Sequence, residues 1–150
     1  MTNKLEILNK TIINCTKCKR LVDFRKKIAT EKTKRFKNEN YWGRPITGFG
    51  DPEAKIMFVG LAPAAHGGNR TGRVFTGDKS SEFLFTGLKK ANISNLSNST
   101  FKNDGLRLFN TYLTLSLKCV PPEDKPTKQE LLNCFKFSSS SVTDSEHIRI

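Results

Sequence analysis

Two short apolar segments of this chain have the pattern of β-strands. Residues 56–59 (IMFV) form a continuous apolar run that leads into a loop rich in Ala, Pro and Gly. Such a run predicts a strand that is buried on both faces, as in a parallel sheet. The second half of residues 106–117 alternates between apolar and polar positions, which predicts a second strand that ends near Cys119.

Helical periodicity predicts four helices around these strands. They are residues 3–13, a basic helix within residues 19–40, a helix from Ser80 or Ser81 through Leu88, and a helix after Thr127. In the first of them, Leu5, Leu8 and Ile12 fall at helical spacing. In the last, Thr127 and Glu130 have the spacing of a capping box. At 150 residues, the chain is long enough for one domain with one core.

The balance of charge favours an anionic partner. The chain has 26 Lys and Arg against 14 Asp and Glu, a formal net charge of +12. Such an excess most often indicates nucleic acid, although it also serves solubility alone. The basic residues within 19–40 fit a phosphate-contacting surface and a solvated helix face equally well.

The pattern of apolar residues argues against a membrane-spanning or a secreted protein. No apolar run approaches the ~18 residues of a membrane span, and residues 1–13 lack the apolar core of a signal peptide. We therefore expect a cytoplasmic protein, which has no membrane partner and whose cysteines do not form disulfides.

The four cysteines predict a metal site. Cys15 and Cys18 have C-x-x-C spacing in a basic, polar turn, and Cys119 and Cys134 supply a second pair. A redox dithiol would be expected after a strand, and no strand is predicted before Cys15. Two unrelated cysteines remain an alternative to a metal site. Spacing alone does not separate zinc from an iron–sulfur cluster, because both accept four thiolates.

The loop after the first strand has the make-up of a binding pocket. Ligands bind in open α/β sheets at the carboxyl ends of the strands. Polar side chains surround one aromatic ring in this loop, at His66, Asn69, Arg70, Arg73, Phe75 and Asp78. That combination is typical of a small-molecule or base pocket.

Five motifs, taken in order, resemble those of a known family. They are the Cys15/Cys18 pair, YWGRPITGFGD at residues 41–51, GLAPAAHGGNRTGRVFTGDKS at residues 60–80, DGL at residues 104–106 and KCVPPEDKPTKQELLNC at residues 118–134. Together they resemble the type-5 (family 5) uracil-DNA glycosylases, from the iron–sulfur branch of the uracil-DNA glycosylase superfamily. The similarity covers about residues 5–137, and its long middle motif is highly specific.

This resemblance implies a fold, a cofactor and a reaction. The fold is an α/β/α sandwich, three layers around a short parallel sheet. The cofactor is a 4Fe–4S cluster held by Cys15, Cys18, Cys119 and Cys134. Such a cluster need not take part in the chemistry, and our hypothesis is that it holds a basic, DNA-facing loop region together. The reaction is hydrolysis of the N-glycosidic bond of uracil, or of another deaminated base, in DNA by a monomer that flips the base out.

The resemblance also assigns roles to individual residues. Asp78, in the family's FTGD segment, is the expected catalytic carboxylate. The expected base-binding residues are Gly60, Leu61, Ala62, Pro63, Phe75, His66, Asn69 and Arg70. Alternatively, Asp78 caps the helix after Gly77, and His66 only makes a hydrogen bond within the loop.

Two departures from the family pattern change these expectations. Relatives in the iron–sulfur branches often carry Asn at the position of Leu115, where it reads the uracil edge, so other deaminated bases are also expected substrates.

After Phe137 the sequence turns to SSSSVTDSEHIRI, without helical or strand period. We therefore expect residues 1–137 to be the N-terminal part of one glycosylase-like domain, incomplete and C-terminally truncated, and residues 138–150 to be an aberrant, disordered tail.

These departures leave a second function open. The expected activity of this chain alone is weak or absent, as for a fragment. The alternative is a non-enzymatic nucleic-acid-binding protein that an iron–sulfur cluster or zinc stabilises. Only the enzyme would leave abasic sites in DNA that contains uracil.

Overall fold

Five helices and three short strands make up the part of the chain that the computed structural model describes, residues 2–143, with side chains for residues 4–138. The helices are α1 (Thr2–Ile13), α2 (Lys19–Glu31), α3 (Gly68–Thr71), α4 (Lys79–Lys90) and α5 (Lys128–Thr143). The strands are β1 (Phe49–Gly50), β2 (Ile56–Gly60) and β3 (Thr111–Leu115), and 3₁₀ turns cover Lys34–Phe36 and Pro122–Asp124. Both predicted strands and all four predicted helices are present, which confirms the α/β class.

β3 is the centre of a mixed sheet in the order β1–β3–β2. β2 and β3 are parallel, with Phe58 opposite Leu113, as expected for the two predicted strands. β1 is antiparallel to β3 and was not predicted as a strand, because two residues are too few to show a period. Gly50 in β1 has a φ of 138°, which glycine adopts without strain.

The expectation that β2 is buried on both faces is wrong for the described part of the chain. Ile56 is 44% exposed and Val59 is 55% exposed, whereas every residue of β3 is buried. The reason is the position of β2 at the edge of the sheet, where β3 is its only strand partner among residues 2–143. A continuous apolar run predicts a strand, but it does not show which other elements cover the two faces of that strand.

Two apolar clusters form the interior. The larger cluster packs α4 on the sheet, with Phe85 and Leu113 fully buried at its centre. Full burial of a side chain of this kind contributes about 1.5–3 kcal/mol. The smaller cluster joins Leu21 of α2, Leu117 and two of the cysteines. Within residues 2–143, none of the helices has the length and apolar content needed to cross a lipid bilayer.

Side-chain caps set the starts of the two long C-terminal helices. α4 begins after Asp78, not after Ser80 or Ser81: the Ser81 backbone N–H donates to Asp78 Oδ1 at 2.8 Å. The predicted capping box of α5 is confirmed, since the Thr127 N–H donates to Glu130 Oε2 at 2.8 Å. α5 continues through Thr143, so residues 138–143 are helical and the predicted boundary at residue 137 falls inside a helix. Residues 144–150 of the expected tail lie outside the described residues.

A buried ion pair between Arg73 and Asp104 ties the segment before α4 to the segment before β3. Arg73 donates to both carboxylate oxygens of Asp104, at 2.8 and 2.7 Å, and both side chains are about 5% exposed or less. Arg73 also donates to Thr76 Oγ1 and Ser99 Oγ, so the pair sits in a hydrogen-bonded network. Burial alone would raise the pKa of Asp104, but the hydrogen bonds from Arg73 and from backbone N–H groups lower that pKa well below its usual value.

We expect Asp104→Asn to lower the free energy of unfolding by about 3–5 kcal/mol at pH 7, because it leaves the Arg73 charge buried and unpaired. Urea denaturation followed by circular dichroism measures this change. The control is Asp23→Asn, which breaks the exposed Lys19–Asp23 pair and should leave the midpoint nearly unchanged.

The same pair predicts a dependence on pH. Because the pKa of Asp104 is lower in the folded state, the unfolded chain takes up the proton first as the pH falls. The stabilisation by the pair is therefore complete above about pH 4 and is lost progressively below it. The difference between wild type and Asp104→Asn should shrink between pH 4 and pH 2, and a constant difference would contradict this account.

Candidate functional site

A small cleft opens at the carboxyl ends of β2 and β3. Its volume is about 90 Å³. The lining residues are Ala62, Pro63, Ala64, Gly68, Phe75, Asp78, Ser80 and Leu115. Four of the residues predicted from the sequence, Asp78, Phe75, Ala62 and Pro63, are therefore brought together in one place. Ala64 belongs to the tight loop of residues 60–65, whose backbone the sequence predicted to face a base, whereas Gly68 and Ser80 were not predicted.

The loop after β2, which lines this cleft, contains backbone donors without a partner among the described residues. The Leu61 carbonyl accepts the Leu117 N–H at 2.9 Å, and the Ala64 carbonyl accepts the Asn69 N–H at 3.1 Å. These two bonds hold the loop at both ends. The N–H groups of Ala62 and Ala64, by contrast, make no hydrogen bond to the rest of the described chain. Two donors held in place and without a partner are suited to bind the polar edge of a ligand.

Phe75 forms one wall of the cleft in an unusual backbone conformation. Its φ is 48°, in the left-handed region that a bulky residue adopts only at a cost of about 1–3 kcal/mol. Its ring packs over Gly60, where a Cβ would lie 2.6 Å from Phe75 Cζ. Gly60 therefore acts by its lack of a side chain, which leaves room for the ring. Leu61, the next residue, is 54% exposed.

Asp78 is both the N-cap of α4 and a lining residue of the cleft. The Ser81 N–H donates to Oδ1, and the Ser81 hydroxyl donates to the Asp78 carbonyl at 2.7 Å. The other carboxylate oxygen lies beside Gly67, where a Cβ would collide with it. The capping role considered from the sequence is therefore real, and it leaves one oxygen of the carboxylate free of the cap.

Arg70 is committed to contacts within the protein. It donates to Glu39 Oε2 at 2.6 Å, to the His66 carbonyl at 2.6 Å and to the Gly77 carbonyl at 3.2 Å. Its guanidinium also lies 3.8 Å above the centre of the Phe36 ring. The side chain is outside the cleft lining and links three segments of the chain around it.

His66 and Asn69 also lie outside the cleft lining. His66 Nδ1 is 2.8 Å from the Tyr41 hydroxyl. Burial lowers the pKa of His66, and the charge of Arg70 lowers it further, so both effects favour the neutral ring. Asn69 is almost fully buried and donates to the Arg25 carbonyl at 3.3 Å. The base-binding roles expected for these residues stay predictions.

The four cysteines come from three separated segments that meet in the smaller apolar cluster. Cys15 and Cys18 lie in the connection between α1 and α2, Cys119 follows β3, and Cys134 lies in α5. Cys18, Cys119 and Cys134 share the cluster, and Ala62 from the cleft loop packs against it. The cysteine region and the cleft are therefore in direct contact through Ala62.

The donor set fits a thiolate-bound cofactor. All four cysteines are free thiols, and N–H groups point at two of the sulfurs: Arg25 Nη1 at Cys119 Sγ (3.6 Å) and Asn133 Nδ2 at Cys18 Sγ (3.4 Å). Burial raises the pKa of Cys119 to about 12, and the charge of Arg25 beside it opposes that rise. Among the described side chains, no three His, Cys, Asp or Glu are close enough to hold a single metal ion. Four thiols are nevertheless the donor set that an iron–sulfur cluster accepts.

Residues 47–143 match the family model described as the uracil DNA glycosylase superfamily. The chain is 43% identical over 145 residues to the type-5 uracil-DNA glycosylase of Thermus thermophilus, a match that covers 97% of this chain and 65% of the relative. It is 46% identical over 123 residues to that of Pyrobaculum aerophilum, covering 82% of this chain and 54% of the relative.

A third relative gives the same result. The chain is 44% identical over 127 residues to the type-5 uracil-DNA glycosylase of Mycobacterium leprae, covering 85% of this chain and 56% of the relative. The chain thus spans between about half and two thirds of the length of these curated relatives. The family match includes β2, the cleft loop, α4, β3 and α5. On this evidence, the chain belongs to the uracil DNA glycosylase superfamily.

Proposed function

We propose that the protein is a DNA-repair glycosylase that hydrolyses the N-glycosidic bond of uracil, and of other deaminated bases, in DNA. The observation that carries this proposal is the cleft itself. It combines unused backbone donors, an aromatic wall and a carboxylate within one small space. The family match and the names of the relatives support the same reaction.

The loop and the ring suit a base that has left the DNA stack. An enzyme that acts on a base in a duplex must first flip it out. Phe75 would then stack on the base, a contact worth ~1–3 kcal/mol. The N–H groups of Ala62 and Ala64 would donate to carbonyl oxygens on the base edge, and Gly60 leaves the space that this stacking needs.

Asp78 suits the sugar side of the reaction. In hydrolysis, the bond between C1′ and the base breaks with its electron pair on the base, and the oxygen of a water forms the new bond to C1′. Positive charge builds on the sugar as this happens, and a carboxylate that is already in position stabilises it without reorganising. The free oxygen of Asp78 can also accept a proton from the attacking water, while the Ser81 N–H fixes the other oxygen.

We further propose that Cys15, Cys18, Cys119 and Cys134 hold a 4Fe–4S cluster. When bound, the cluster supplies a cross-link between α1–α2, the segment after β3 and α5. Because Ala62 belongs both to the cleft lining and to the cysteine region, the cross-link would stiffen the wall of the base pocket. The basic charge of the chain, +12, supports DNA as the partner.

The proposal also includes a cellular location and an oligomeric state. The relatives come from bacteria and archaea, and a protein that keeps four free thiols and acts on genomic DNA would work in the cytoplasm. We also infer a monomer, because one chain supplies every group of the cleft described above.

We expect Asp78→Asn to reduce the rate of uracil release by 100-fold or more, since charge stabilisation of this kind is worth about 10²–10³ in rate. Asparagine also caps helices, so the fold should persist. The measurement is single-turnover release of uracil from a duplex, with the protein in excess to detect a weak activity. The control is Glu82→Gln, which removes an exposed carboxylate one turn further along α4.

The outcomes of this experiment separate two functions. Release that depends on Asp78, however slow, supports the glycosylase. Equal release by wild type and Asp78→Asn would remove Asp78 from the mechanism. DNA binding without any release would favour the non-enzymatic binding protein.

We expect Cys119→Ser to lose most of the iron and the broad visible absorption of the anaerobically purified protein, because a thiolate ligand is lost from a buried site. Its thermal midpoint should fall together with the iron content. Iron analysis and absorption spectroscopy measure both. Unchanged iron and absorption would contradict the assignment, and a colourless wild-type protein that contains zinc would contradict the iron–sulfur cluster.

We expect Leu115→Asn to raise the preference for uracil over hypoxanthine by about 5- to 10-fold. Leu115 is buried and lines the cleft, so an amide there would add a hydrogen bond to the uracil edge, worth about 1 kcal/mol. The control is Leu115→Met, which conserves volume and adds no donor. An unchanged preference in a panel of duplexes with single lesions would show that this position does not face the base.

A further inference from the structure

Arg25 is a buried cation without a carboxylate partner. It lies on α2 and is 4% exposed. Its Nε donates to the Gly43 carbonyl at 3.1 Å, and its Nη1 donates to Cys119 Sγ at 3.6 Å. None of the ion pairs between described residues includes Arg25. The other two buried arginines, Arg70 and Arg73, pair with Glu39 and Asp104.

Lys118 repeats this arrangement beside the same cysteines. Its side chain is buried, and Nζ donates to Thr114 Oγ1 at 2.8 Å and to the Leu115 carbonyl at 2.5 Å. It too takes part in no ion pair among the described residues. Two uncompensated cations therefore lie next to one group of thiols.

An uncompensated charge in the interior is costly. Removing an ion from water costs several kcal/mol, and buried charges in proteins are accordingly paired or bound to metal centres. Arginine cannot avoid this cost by losing its proton. The structure therefore needs an anion near Arg25, and the nearest candidates are the sulfurs of the cysteine region.

An iron–sulfur cluster would supply that anion. Its sulfides and cysteine thiolates together outweigh the positive charge of its iron, so the bound cluster is negative. Hydrogen bonds to the sulfurs and the surrounding charge are among the factors that set the reduction potential of such a cluster. Arg25 offers both a charge and an N–H directed at Cys119 Sγ.

We propose that Arg25 is the buried counter-ion of the cysteine-bound cluster, which it retains and tunes through the N–H···S contact with Cys119. This inference rests on the cofactor of the proposed function. It separates Arg25 from the other basic residues of α2, which are exposed. Arg25 is thus a positioning residue for the cluster and not a contact to DNA.

The test compares four forms of the full chain: wild type, Arg25→Gln, Arg25→Lys and Lys26→Gln. Lys26→Gln is the matched control, because it removes one positive charge from the exposed face of the same helix. Each form is reconstituted anaerobically with iron and sulfide. Bleaching of the visible absorption by a chelator measures cluster loss, and voltammetry measures the midpoint potential.

The proposal predicts a distinct result for each variant. Arg25→Gln should lose its cluster about 10-fold faster or more, as is typical when an outer-shell partner is removed, and its midpoint potential should move to more negative values. Arg25→Lys keeps the charge, so its potential should stay close to that of wild type. Lys26→Gln should match wild type in both readouts.

Several outcomes would overturn the proposal. One is Arg25→Gln with the cluster lifetime and potential of Lys26→Gln. Another is equal destabilisation of the cluster-free and cluster-bound forms with an unchanged potential, since that indicates packing alone. If Arg25→Gln does not fold, the result for Arg25→Lys decides. A cluster with the wild-type potential in Arg25→Lys supports the proposal. Failure of Arg25→Lys to fold or to take up iron contradicts it.

The same experiment separates this inference from the cofactor assignment. If wild type takes up no cluster, the cofactor assignment fails and the counter-ion fails with it. If wild type takes up a cluster that does not respond to Arg25, only the counter-ion fails.

Discussion

The hydrogen bond from the Ser81 backbone N–H to the Asp78 carboxylate is the constraint on which the site depends. It starts α4 and at the same time fixes the direction of Asp78. Gly77, just before it, has a φ of 74°, and its carbonyl accepts a hydrogen bond from Arg70. Gly67 has no Cβ and so leaves room for the second carboxylate oxygen. Capping and catalysis, which the sequence presents as alternatives for Asp78, are compatible because the cap uses only one oxygen.

Much of the fold follows from local pattern, and the exceptions have a common physical cause. The two main strands, α4 and the Thr127–Glu130 capping box are specified by residues that are neighbours in sequence, so period and spacing predict them. The exposure of β2 depends on which elements lie beside it, and β1 exists only because β3 provides a partner for two residues. Neither fact is present in the local sequence.

The arginines of the cleft loop show the same limit for the site. Sequence places Arg70 and Arg73 in a polar pocket, where a role towards ligand anions is the natural expectation. Their actual partners, Glu39 and Asp104, are each 31 residues away along the chain. The role of a loop arginine can therefore be predicted reliably only when its carboxylate partner, which is distant in the sequence, is known. Asp78 and Phe75 could be expected to lie close together because their family motif is itself a local pattern, and both line the cleft.

The cysteine region and the cleft form one unit in this account. Ala62 lines the cleft and packs against the apolar cluster that contains the cysteines, so we expect a cofactor that orders the cysteines to order this loop as well. The buried cations beside the cysteines and the buried Arg73–Asp104 ion pair show that part of the basic character of the chain serves the interior. Not all of its 26 basic residues are therefore at the surface.

The central claim is that the cleft receives a base flipped out of DNA. The most direct test is a crystal structure of the chain bound to a duplex that contains 2′-fluorinated deoxyuridine, which resists hydrolysis. The account predicts an extrahelical uracil stacked on Phe75, with its edge at the Ala62–Ala64 backbone and its sugar facing Asp78. A uracil that stays within the duplex while the cleft faces away from the DNA would contradict it.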